Sequence, residues 1–298
     1  MLHSLKSASF GRKTGSTFPS DALVPVGRGN PPDRFGHHMA HNRYSMTHTN
    51  TPDTHERPRQ RPQLRSWTFR VVDSFDVEPN MRRVVLTADD IGEFAYKPGQ
   101  AIVLMVPGPG GETGRRDYTI RGMDRPAGTI GVDFLLHGDT PAPTWARQAK
   151  PGDTIEAKGP RGGAVLRPDA DWHLLTGDET CIPAIAHILE TMPAGTKAFV
   201  FVEVNDRNGE IELPTQADAV IRWMHRHGAP AGPSELMNGV VQDFVLPSGR
   251  GHAYIIGETS NVRRQRHTLI ARGFARDQIS SEGYWRPGRI GGHDHVDD

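Results

Sequence analysis

The sequence predicts a two-domain protein of β + α/β class, an antiparallel β-barrel followed by an open parallel α/β sheet. Three observations carry that expectation. Over residues 64–169, short runs of β-branched and aromatic residues alternate with Gly/Pro turns and show little helical pattern, which suits a small barrel. Beyond residue 169, short apolar strands alternate with helical runs, the pattern of a parallel sheet that binds ligands at the carboxyl ends of its strands. Before residue 63 neither period is present, so the 298 residues divide into a tail and about two domains.

Residues 1–62 read as a disordered tail rich in Pro, Gly, Ser, Thr, His and Arg, too poor in apolar side chains to offset its ordering entropy. His37, His38 and His41 could be read as a metal site, but without a fixed backbone they read as ordinary polar residues. Met39 and Met46 leave open a downstream start. The first twenty residues are basic and Ser-rich, which leaves a transit peptide open, and they lack the apolar stretch of a secretory signal. The net charge of zero gives no global field for nucleic acid or an anionic membrane. No apolar run approaches the roughly 20 residues of a membrane helix. The single cysteine, Cys181, excludes an internal disulfide and fits a reducing compartment. A cytoplasmic location is the default.

In the barrel region, strands are expected over 66–75, 81–87, 101–106, 118–121, 128–137 and 154–157. Ile130, Val132 and Phe134 alternate as a half-buried strand requires. The stretch Arg115-Arg116-Asp117-Tyr118-Thr119-Ile120-Arg121 holds the order Arg-x-Tyr-Thr. A flavin needs a flat aromatic partner, a hydrogen-bonding group and a cation for its phosphates, and these residues offer all three; an ordinary strand could carry the same letters. Alternation puts Arg116 and Tyr118 on one face and Thr119 on the other unless the strand bends. After His137-Gly138 and a Pro-rich approach, a helix is expected over 144–149, capped by Thr or Asp. Its N-terminus would suit a pyrophosphate, or be a plain capped surface helix. Gly159 to Gly163 form a tight loop.

In the second region, strands are expected over 172–176, 197–204, 218–224 and 253–256, and helices over 182–192, 234–244 and 261–272. Pro183 is tolerated in a first helical turn. Gly177-Asp178-Glu179-Thr180 and Gly257-Glu258-Thr259-Ser260 stand at strand ends. There is no GxGxxG, so the nucleotide-binding expectation rests on sheet topology alone.

The ordered set RRDYTIR, VDFLLHGD, TWARQAKPGD, GPRGG, LLTGDETCIPAI, GETSNVRRQR and GYWRPG resembles the siderophore-interacting proteins, FAD-containing ferric-siderophore reductases of the ferredoxin-reductase-like superfamily. The resemblance spans residues 64–288. It implies a six-stranded-type flavin-binding barrel over 63–169 and an NAD(P)H-binding sheet over 170–290, with 291–298 a second disordered tail. It further implies FAD contacts from Arg116, Tyr118, Thr119, His137, Gly138, Ala142, Thr144, Trp145 and Trp285. Gly177, Asp178, Glu179, Thr180, Gly257 and Glu258 would meet NADPH or NADH. Tyr284, Trp285 and Arg286 would close over the flavin. The sequence departs from the family twice: the loop between His137 and Trp145 looks a residue short, and Cys181 stands where a small apolar residue is usual. Cys181 could face the nicotinamide as a reactive thiol or be buried and inert.

The resemblance implies chemistry without a general base, since a flavin converts a hydride's two electrons into the single electrons Fe(III) accepts. No catalytic side chain and no protein metal ligand is therefore expected; His293 and His295 read as part of a frayed end. Arg161 and Arg286 are the candidates for meeting an anionic ferric siderophore. For the donor, Glu203, Asp206 and Arg207 give conflicting signs, and Arg207 leans toward NADPH. Two alternatives remain: the same build with another electron acceptor, such as free flavin or a ferredoxin, and a non-catalytic module that binds a nucleotide or partner.

Overall fold

The computed structural model describes residues 63–108, 110–289, 291 and 294–296. The N-terminal segment with His37, His38, His41, Met39 and Met46 lies outside the described residues, as do His293 and the side chain of His295.

Six strands close the barrel: β1 (Ser66–Glu78), β2 (Met81–Thr87), β3 (Ala101–Pro107), β4 (Thr113–Asp124), β5 (Thr129–Leu135) and β6 (Thr154–Arg161). They pair antiparallel in the closed order β1-β2-β5-β4-β3-β6. Alternation does the sorting. Trp67, Phe69 and Val71 of β1, and Ile130, Val132 and Phe134 of β5, all point into the core. Trp67 stacks with Phe69 and meets Phe94 edge-on, at centroid distances of 6.0 and 4.9 Å. β4 runs well beyond the expected 118–121, because β3 pairs with it from Ala101–Thr119 to Pro107–Thr113. Helix α1 (Pro141–Gln148) begins three residues before the expected start, since proline costs nothing in a first turn. Thr140 holds the N-cap position, but its side chain makes no capping bond. Ala142, Ala146 and Ala149 pack α1 and its end onto the barrel core.

The second sheet follows: β7 (Trp172–Asp178), α2 (Ile182–Glu190), β8 (Lys197–Val204), β9 (Asp218–His225), α3 (Leu236–Asp243), β10 (Gly251–Glu258), α4 (Thr259–Ala271), β11 (Ile279–Trp285) and β12 (Asp294–His295). Its order is β12-β11-β10-β7-β8-β9. The five long strands are parallel, and β12 is antiparallel. The central strands β7 and β10 are buried throughout, so their side chains divide between two cores. Leu175, Tyr254 and Ile256 pack with α2; Leu174, Ala253 and Ile255 pack with α3 and α4. β11 escaped the sequence reading because its buried positions include Ser280, Glu282 and Gly283. The expected tail at 291–298 is corrected in part: β12 pairs Asp294 with Gly283, and Val296 is buried, its carbonyl accepting from Ser281.

Polar links join barrel and sheet. His187 on α2 donates from Nδ1 to the Ile120 carbonyl of β4 at 2.7 Å. Arg121 of β4 forms a bidentate pair with Glu190 at 2.6 and 2.5 Å. Glu282 of β11 accepts from the Gly163 and Ala164 amides in the connecting loop at 2.5 and 3.2 Å. Among the described residues, no helix is long and apolar enough to cross a membrane.

Candidate functional site

A cleft of about 850 Å³ opens where β4 of the barrel faces the carboxyl ends of β7, β8 and β11. That volume lies within the roughly 300–1,000 Å³ usual for small-molecule sites. From the barrel it is lined by Arg116, Asp117, Tyr118 and Thr119 of β4, by Asn80, Met81 and Asp133, and by His137, Thr140 and Ala142 around the start of α1. From the sheet come Glu179 and Thr180 after β7, Asn205 to Asp206 and Asn208 to Gly209 after β8, Arg226 after β9, and Tyr284, Trp285 and Arg289.

Four consecutive residues of β4, Arg116 to Thr119, line the cleft. The pairing of β4 with β5 slips between Ile120 and Gly122, and a slip of that kind bends and twists a strand. The Tyr118 ring packs on Phe134 at a centroid distance of 4.2 Å, and burial pushes its phenol pKa far above the usual value. Burial likewise raises Tyr284, against a hydrogen bond with Thr119 that lowers it. Both phenols stay neutral and offer O–H groups.

Of the residues expected to hold FAD, Arg116, Tyr118, Thr119, His137, Ala142 and Trp285 line the cleft. Gly138, Thr144 and Trp145 are not among the lining residues; Trp145 packs on Phe134 at 5.6 Å and belongs to the barrel wall. Of those expected to meet NAD(P)H, Glu179 and Thr180 line it. Gly177, Asp178, Gly257 and Glu258 lie beneath, buried at the ends of β7 and β10. Asp178 accepts from Thr180 N, Glu258 N and Trp285 Nε1 at 2.9, 3.0 and 2.9 Å. Glu258 caps α4 by accepting from Asn261 N. Arg207 is exposed and off the lining, while its neighbours Asp206 and Asn208 are on it. Arg161 is paired with Asp117 at 2.6 Å; neither it nor Arg286 lines the cleft.

Cys181 resolves as the inert alternative. It is fully buried, and burial, then the Asp178 charge, push its thiol well above the ordinary value.

Sequence reasoning missed Asn80, Asp133, Arg226 and Arg289. Asp133 is buried inside an otherwise apolar strand and bonds Arg83 at 2.6 and 2.8 Å, so a lone acid in an alternating run was its signal. Arg226 carried none, since an arginine just past a strand reads as surface.

The donor set suits a flavin dinucleotide. An aromatic wall, a hydroxyl and the Arg116 guanidinium stand together on β4, and Ala142 at the helix start offers a first-turn amide.

A closed six-stranded barrel followed by a five-stranded parallel sheet is the fold of the ferredoxin-reductase-like structures. Residues 112–164 match the siderophore-interacting FAD-binding domain, and residues 170–288 match the siderophore-interacting protein model. The ferric vibriobactin reductase of Vibrio cholerae is 31% identical over 236 residues, covering 72% of this chain and 86% of its own. A siderophore utilization protein from T. fusca superposes with a TM-score of 0.70 at 32% identity, over 76% of this chain and 95% of the other. The siderophore-interacting protein of Aeromonas hydrophila gives 0.65 at 29% identity, over 77% and 94%. The chain belongs to the siderophore-interacting protein family.

Proposed function

We propose that this chain is an FAD-dependent NAD(P)H:ferric-siderophore oxidoreductase that releases iron as Fe(II) in the cytoplasm. The observation that carries the reading is the shared cleft: Arg116, Tyr118 and Thr119 line it from the barrel, and Glu179, Thr180 and Trp285 from the sheet. A flavin held on the barrel side is thereby open to a nicotinamide arriving over the strand ends. The relative named ferric vibriobactin reductase supports the choice of acceptor.

Bound FAD supplies the conversion from a hydride's electron pair to single electrons. The side chains bind and orient. Arg116 and the α1 N-terminus would neutralise the phosphates, Tyr118 would wall the ring, and Thr119 would offer it a hydroxyl. Tyr284 and Trp285 narrow the opening from the sheet side and keep water out. No proton-transfer residue is needed. Siderophores offer hard oxygen ligands that favour Fe(III), so reduction loosens their hold on the metal.

The test is anaerobic. The purified protein, loaded with FAD, is expected to be yellow, to bleach on addition of NADH or NADPH, and to recover its colour when ferric siderophore is added, with Fe(II) appearing in a ferrous trap. A colourless protein under excess FAD, or reduced protein that passes electrons to free flavin or a ferredoxin but not to ferric siderophore, overturns the reading.

A further inference from the structure

We propose that the cleft selects NADH over NADPH, with Asp206 receiving the adenosine ribose and with Arg226, the lining cation supplied by the second and third strands of the sheet, already committed to Glu179 and Glu203. The proposal rests on the functional reading above and names its electron donor.

In an open parallel sheet, the adenosine end of a dinucleotide lies beyond the carboxyl end of the second strand. There an acid accepts from the ribose 2′-hydroxyl, or a basic group takes a 2′-phosphate. Here the first strand is β7 and the second β8, and β8 leads directly into the turn Asn205–Asp206–Arg207–Asn208–Gly209. Asp206 lines the cleft. Its Oδ1 accepts from Asn208 N at 2.8 Å and its Oδ2 from Asn205 Nδ2 at 2.7 Å. The side chain is thus held still, and each oxygen keeps a second acceptor position for a sugar hydroxyl. Arg207, the sequence's candidate for a phosphate, is exposed and outside the lining.

Arg226 follows β9, the third strand. Its guanidinium bonds both oxygens of Glu179, at 3.0 Å for Nη1 and closer for Nη2, and reaches Glu203 at 3.4 Å. The Arg226 side chain is only 8% exposed and that of Glu203 3%. Turning this guanidinium to a phosphate would take the cation from the nearly buried Glu203 and unpair Glu179 on the lining, which is costly. Among the residues that line the cleft at these strand ends, two carboxylates, Glu179 and Asp206, stand against one guanidinium, that of Arg226, which the nearly buried Glu203 also holds. Burial pushes the Glu203 carboxyl up, and among the lining groups here the carboxylates outnumber the guanidinium without it. A 2′-phosphate would arrive against like charge, whereas a ribose diol would find an acceptor. The other arginines of the cleft stand elsewhere: Arg116 on the barrel, and Arg289 after β11, which β10 and β7 separate from β8.

The experiment uses the FAD-loaded protein. Anaerobic flavin reduction is followed with NADH and NADPH, and binding of 5′-AMP and 2′,5′-ADP to the oxidised protein is measured by calorimetry. We expect kcat/KM to favour NADH by at least about tenfold, and 5′-AMP to bind more tightly than 2′,5′-ADP by a similar factor, the scale of one unfavourable charge contact. Asp206→Asn is expected to narrow both ratios while leaving the FAD absorbance unchanged. Equal use of the two donors, a preference for NADPH that Arg207→Ala abolishes, or ratios that Asp206→Asn does not move would overturn the proposal alone. A flavin-loaded protein that neither donor reduces would instead overturn the functional reading.

Discussion

The indole N–H of Trp285 donates to Asp178 Oδ2 at 2.9 Å, across 107 residues of sequence. The same carboxylate accepts from Glu258 N, Thr180 N and the Thr180 hydroxyl, at 3.0, 2.9 and 2.5 Å. One buried acid therefore ties together the ends of β7, β10 and β11, and holds the aromatic wall of the cleft. Burial pushes its carboxyl up, while the bonds from Thr180 and Trp285 pull it down. Asp178→Asn would replace acceptor positions by an NH₂ facing an N–H, costing about 1–3 kcal/mol. Trp285→Phe, which leaves the other donors in place, should cost about 1 kcal/mol. Urea unfolding of the two variants checks the order, and equal losses would refute it.

Gly257 presses on the same carboxylate. Its φ is +133°, and a Cβ there would lie 2.7 Å from Asp178 Oδ2. Gly257→Ala combines backbone strain with a clash against a fixed group, and is expected to lose about 1–3 kcal/mol. Thermal unfolding reads this; an unchanged Tm would mean that Asp178 moves freely.

Barrel and sheet are joined through a chain of charges. Arg83 holds both oxygens of Asp133, Arg121 stands 3.8 Å from Asp133, and Arg121 pairs in turn with Glu190. The Asp133 side chain is 6% exposed and that of Glu190 31%. Asp133→Ala takes the carboxylate from Arg83, itself 29% exposed, and should cost about 1–3 kcal/mol. Glu190→Gln removes a partly solvated pair and should cost about 1 kcal/mol or less, falling further in salt. Denaturation at low and high ionic strength separates the two.

Acid should loosen the sheet domain through its buried histidines, His173 and His252 among them. Burial lowers His173, and lowers His252 to about 4, while the unfolded chain titrates near 6.5. As pH falls below about 6.5 the unfolded state takes up protons that the folded state refuses, so stability is full above that value and declines below it. His252 contacts Ser280 Oγ through Nε2 at 2.9 Å. His252→Gln keeps a polar group there and removes the titration, so its stability should fall less steeply between about pH 6.5 and 4. Parallel acid limbs for variant and parent would exclude His252 as a source.

Cys181 should resist thiol reagents in the folded protein. It is buried, and its thiol is pushed up, so the reactive thiolate is scarce and out of reach. A disulfide-exchange reagent is expected to label it only after denaturation. Rapid labelling of the native protein would contradict this burial.

Much of the fold was legible because its signals are local. Strand alternation in β5 and the matching bounds of β2 and β8 follow from side-chain period alone. Proline at the start of α1 misled the reading by three residues, since a breaker in one position is a starter in another. β11 was hidden because its buried polar residues are satisfied from distant parts of the chain, Glu282 by Gly163 and Ala164 and Ser280 by His252. Hydrophobic period cannot register a partner 119 residues away.

By itself the sequence determined the order of elements and the motif on β4, because each depends on neighbours within a few positions. Only the tertiary structure decided which of the singled-out residues face the cleft. It set Asp206 in the cleft lining and Arg207 outside it, buried Asp178 beneath Trp285, and neutralised Arg226 with two acids from other strands. Charge and hydrogen bonding act through space, and chain distance does not encode which strand ends will meet.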